Sequence, residues 1–82
     1  MRDTRHVDEE RVPRDPRQLV LDADDDPQRV RDTARGILDG VGDEPLSEDQ
    51  ALAAWALGLS LRHLRELDEA TVWLHRAGAA LA

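Results

Sequence analysis

From Ala51 to Leu61 the chain reads ALAAWALGLSL, eleven residues without a charge and almost all of them good helix formers. Wound as an α-helix, this run carries two apolar stripes. One is Leu52, Trp55, Ala56 and Leu59; the other is Ala54, Leu57, Leu61 and Leu64. A helix that is apolar on both sides has to be packed on both sides. A lone helical hairpin covers one side and leaves the other wet, so something else must cover it. The start of this helix is marked by LSEDQ. Ser47 and Gln50 have the spacing of a capping box, and Glu48 and Asp49 suit the positive end of the helix dipole. A helix over 48–64 is predicted.

The end of this helix is ambiguous by propensity. Residues 54–77 hold no proline, and their one glycine, Gly58, sits among helix formers. In one continuous helix, Gly58, Ala70 and Ala77 would fall on scattered faces with no reason to be small. Folded back near Arg65, Glu66 and Leu67, the three become a seam where two helices approach closely. Leu67 is then expected to pack between the helices and Asp68 to cap a second one, over 68–81, with Glu69 in its first turn.

Upstream, Asp26-Pro27 is an N-cap followed by a first-turn proline. Val30, Ala34, Ile37 and Leu38 then form one stripe, and Gly40 stands where a left-handed residue ends a helix. A helix over 27–39 is predicted. GVGDEP reads as a loop. Residues 1–26 are dense in charge and poor in apolar side chains, and are expected to be mostly a disordered tail, with 1–14 disordered throughout. Asp15-Pro16 leaves room for a short helix over 16–23. The expectation is therefore an all-α fold of about three helices, with a helical domain at 27–82.

The chemistry of the chain excludes several functions. Its 82 residues carry a net charge of −7, with no lysine and with arginines interleaved among acids, which argues against nucleic acid. No cysteine is present, so disulfides and Cys-based metal sites are excluded, in keeping with a reducing compartment. No apolar run is long enough to cross a membrane, and MRDTRHVDEE is no secretory signal. A cytoplasmic protein is expected. His6, His63 and His75 lack metal-ligand spacing, and DADDD at 22–26 lacks the glycine and the distant glutamate of an EF-hand loop. Ser47 and Ser60 have no nucleophile context, and there is no Gly-rich phosphate loop. No catalytic, cofactor or metal site can be assembled, so an enzyme is not expected.

Residues 51–82 resemble the tetratricopeptide repeat, a helix-turn-helix unit of about 34 residues. Leu57-Gly58 match the family's Leu-Gly pair, and Leu61 takes the place of the following aromatic. Leu67, Ala70, Leu74 and Ala77 come next at the family's intervals without a gap. The match departs at Ala54, where the family has Trp, and at Arg65, where the turn usually has Gly. The helix at 27–39 would be the second helix of a preceding, degenerate repeat. ALGLSLRHLRELDEA is similar to arrays found beside effector domains in actinobacteria, such as the caspase-like CHAT proteases.

The resemblance implies a non-catalytic scaffold that binds protein or peptide along the first helix of the repeat. Carried over by position, the groove face is Leu52, Trp55, Leu59, Arg62 and His63. That lining favours an apolar segment or helix, although Trp55 and Leu59 could equally pack against a neighbouring helix. With one repeat and half of another, the unit is expected to stack on further repeats, to self-associate or to dock on a partner. The alternative is a small acidic regulator that covers a basic surface through 22–26 and 43–49.

Overall fold

The computed structural model describes residues 15–81, and these form four helices: α1 Pro16–Asp22, α2 Pro27–Leu38, α3 Glu48–His63 and α4 Leu67–Leu81. The count is one more than the about three expected, because the short stretch after Asp15-Pro16 folds. Asp15 accepts a hydrogen bond from the Arg17 amide at 3.1 Å, and Pro16 occupies the first turn. Leu19 and Ala23 are buried and anchor α1 to the core. The charged tail expected over 1–14, and His6 with it, lies outside the described residues.

Asp26 starts α2 by accepting from the Arg29 amide at 3.3 Å. Its stripe of Val30, Ala34 and Leu38 is buried, with Ile37 half-buried beside it. Gly40 adopts φ +85° just past the helix end. At the start of α3 the capping box closes in both directions. The Gln50 amide donates to Ser47 Oγ at 3.2 Å, and the Ser47 amide donates to Gln50 Oε1 at 2.9 Å.

α3 is the hub. It packs against α4, α2 and α1 alike, whereas no Cα of α4 comes within 8 Å of a Cα of α2. Ala51, Ala53, Ala54, Ala56, Leu57, Gly58, Ser60 and Leu61 are all buried. This is why α3 is apolar over so much of its circumference: three other helices share it. The buried Ser60 hydroxyl donates to the Ala56 carbonyl at 2.8 Å, so no polar side chain is stranded there.

The break between α3 and α4 comes without a glycine. The Glu66 amide donates to the Leu61 carbonyl at 2.8 Å and the Arg65 amide to the Arg62 carbonyl at 3.1 Å. This is the Schellman pairing that closes helix ends. Arg65 takes the left-handed place in it, at φ +68°. Two local expectations fail here. Leu67 does not pack between the helices but is 56% exposed. Asp68 does not cap, because α4 already begins at Leu67 and Asp68 lies in its first turn. The tight Schellman turn brings Glu66 to the helix entry, where its carbonyl accepts from the Ala70 amide at 3.0 Å.

The α3–α4 seam is built on small residues. A Cβ placed on Gly58 would lie 2.5 Å from Leu74 Cγ and 3.3 Å from the Ala70 carbonyl oxygen. Ala70 and Ala77 are both buried. Across the gap between α2 and α4, Arg35 forks onto Glu69 with contacts of 2.7 and 2.9 Å. Glu69 also accepts from Trp73 Nε1 at 3.3 Å. The Arg35 guanidinium holds the Glu69 carboxyl below its ordinary range; partial burial opposes this, and the Trp73 bond adds to it.

Candidate functional site

At about 100° of turn per residue, Glu48, Leu52, Trp55, Leu59 and Arg62 fall within a sector of roughly 80° on α3. Between Ala51 and Leu61 this is the side of the helix not occupied by its fully buried residues. Gly58, against Leu74 of α4, borders the sector on one side. His63 borders it on the other, where its Nε2 lies 2.6 Å from Asp24 Oδ1 in the α1–α2 turn.

The five residues expected to line a groove are therefore brought onto one surface, but in different states. Leu52 and Leu59 are half-buried, and Leu59 packs against the core. Trp55 is 41% exposed, so the largest side chain of α3 lies at the surface instead of filling the interior. Arg62 and His63 are exposed. At the His63 end, Asp24, Leu59, Arg62 and His63 enclose a shallow hollow of about 280 Å³. Among the described residues, Arg62 and Glu48 take part in no ion pair, whereas His63 is occupied by Asp24.

Sequence pattern alone misses Asp24 and Glu48. Asp24 reaches His63 across 39 positions of sequence, a relation that no local pattern carries. Glu48 is legible as a first-turn acid, and helical phase is the signal that also places it on the face of Trp55.

The other tryptophan is structural. Trp73 is half-buried, donates to Glu69, and carries the Arg76 guanidinium 5.1 Å from its ring centroid. Arg76 in turn donates to the Glu44 carbonyl at 3.0 Å, which ties the linker to α4.

The two acidic stretches differ. Asp22 and Asp26 both pair with Arg29, at 3.0 and 3.1 Å, and Asp24 with His63. Asp43, Glu44, Glu48 and Asp49 form no ion pair among the described residues. Among those residues, no group of three or more His, Asp or Glu side chains could hold a metal ion, and no helix is long and apolar enough to cross a membrane.

Comparison of the chain with protein-family models, with curated proteins and with solved structures found no match.

Proposed function

We propose that the chain is a non-catalytic, cytoplasmic protein-interaction module of tetratricopeptide type, and that the α3 face of Leu52, Trp55, Leu59, Arg62 and His63 binds an apolar segment or helix of a partner. The observation that carries this reading is Trp55. In a helix whose other residues from Ala51 to Leu61 are buried or half-buried, the largest apolar side chain is the most exposed one. Large aromatic side chains in such positions are the usual anchors of protein interfaces. The repeat-type reading is supported by α3 packing simultaneously on α1, α2 and α4, and by the small residues of the α3–α4 seam.

Selection from a displayed library of amphipathic helical peptides tests the proposal. Peptides with apolar residues at i, i+3 and i+7 are expected to be enriched, and their binding is expected to be lost in W55A. A selection that enriches nothing, or peptides that bind W55A as well as the unchanged chain, would overturn it.

The acidic-regulator reading is kept for one stretch. Among the described residues the carboxylates of 43–49 form no ion pair and are offered to a basic partner, whereas in 22–26 Asp22 and Asp26 share Arg29 and Asp24 is held by His63. Charge reversal at Asp43, Glu44 and Asp49 should then abolish a salt-sensitive interaction that W55A leaves intact.

A further inference from the structure

We propose that the open face of α3 is self-complementary and that its occupant is a second copy of this chain, packed antiparallel about a two-fold axis at Trp55. The inference takes from the proposed function that this face is an interaction surface, and adds what covers it. Along the face the order is Glu48, Leu52, Trp55, Leu59, Arg62. Glu48 and Arg62 each stand seven residues, about two helical turns, from Trp55. The face is thus acid at one end and apolar through the middle, and at the other end it carries Arg62 beside the Asp24–His63 pair.

An antiparallel second copy sets Trp55 on Trp55 and flanks the pair with leucines from both copies. It also brings each Arg62 opposite Glu48 of the other copy. Both charges are exposed and lack an ion-pair partner among the described residues, and in this arrangement they pair across the axis. A parallel copy would set acid on acid and base on base, and is disfavoured. His63 does not enter this pairing, because Asp24 holds it. A two-fold contact of this kind is isologous and closes on itself. One helix face makes a small interface, so the dimer is weak, with dissociation in the micromolar range. The net charge of −7 on each copy opposes association at low salt. At physiological ionic strength, charges more than about 8 Å apart are largely screened, while the close pairs persist.

Sedimentation of the full chain over a hundredfold range of concentration, at physiological salt, tests the proposal. A concentration-dependent monomer–dimer equilibrium is expected. E48R and R62E should each weaken it by about tenfold or more, because each sets like charges opposite one another twice. An equimolar mixture of E48R and R62E should associate as well as the unchanged chain, and so should E48R/R62E. W55A should be monomeric throughout. Circular dichroism of each variant establishes that its helices are intact, and either single variant carries the test if the other folds poorly. A chain that is monomeric over the whole range overturns the proposal, as does an E48R/R62E chain no better associated than the single variants. A monomer that still binds displayed peptides through Trp55 overturns the dimer while leaving the proposed function standing. A dimer sensitive to W55A with no peptide enriched does the reverse.

Discussion

Replacing Gly58 with alanine sets two effects of known sign against each other. In the interior of a helix, alanine is favoured over glycine by about 1 kcal/mol. At Gly58 the added Cβ would lie 2.5 Å from Leu74 Cγ and 2.6 Å from Leu74 Cδ2, with the Ala70 carbonyl oxygen at 3.3 Å. Ordinary carbon–carbon contact is at about 3.5–4 Å, so the overlap with Leu74 is about 1 Å or more. Cγ is the branch point of that side chain, so relief requires Leu74 to change rotamer or α4 to move away, and the Ala70 backbone resists the second. Overpacking of this kind costs about 1–3 kcal/mol. The clash offsets or outweighs the helix gain, and G58A should lose up to about 2 kcal/mol net, lowering Tm by up to roughly 10 °C.

Gly36 is the control, because a Cβ there meets nothing within 4 Å and its residue lies inside α2. G36A should gain about 0.5–1 kcal/mol. Urea and thermal unfolding of both variants measure the difference. L74A in the G58A background should cost less than the two single losses combined, since the new methyl occupies space the leucine leaves. A G58A chain as stable as G36A would show that the seam is not close-packed at this glycine, and the reasoning would fail.

R65G should stabilise the chain by about 0.5–1 kcal/mol, because a left-handed conformation strains a residue with a Cβ; the urea midpoint reads this directly. S47A removes the hydroxyl of the capping box and should cost about 1 kcal/mol, seen in the same assay. Because Glu69 titrates below its ordinary range when folded, the stability it contributes is present above the unfolded glutamate pKa and is lost as pH falls through the folded one. E69Q should therefore cost about 0.5–1 kcal/mol at neutral pH, an amount limited by the exposure of the pair. The difference should vanish on the acid side of the glutamate range, as followed by denaturation across pH.

The features legible in the sequence are local and short in range. The Ser47–Gln50 box, the two Asp-Pro starts and the left-handed Gly40 all act within four residues, and each appears where its chemistry places it. The two-sided apolarity of 51–61 announces that α3 is enclosed, without saying by what. α1 is obscured by the charges around it, because two buried side chains, Leu19 and Ala23, are enough to dock it. The ending of α3 is blurred for a different reason. A Schellman turn is marked in sequence by glycine, and here Arg65 takes that left-handed place within the same pair of backbone hydrogen bonds. Leu67 departs from its expected place because an apolar residue beside a turn need not point inward. On the α3 face, helical phase groups the residues, but the His63–Asp24 contact depends on the return of a distant turn and leaves no local mark.

The hub position of α3 also shapes how the molecule comes apart. α4 and α2 are joined to each other through the charged side chains of Arg35 and Glu69, and the turn before α4 reaches α2 through Glu66 and Arg31, while each helix rests its apolar face on α3. Either flank can therefore open while the other stays docked, and neither can survive the loss of the centre. Amide exchange should be slowest along α3 and faster on both sides, in two independently opening units. Damage at one end of the chain would then be contained there, whereas damage at the middle would dissolve the whole fold.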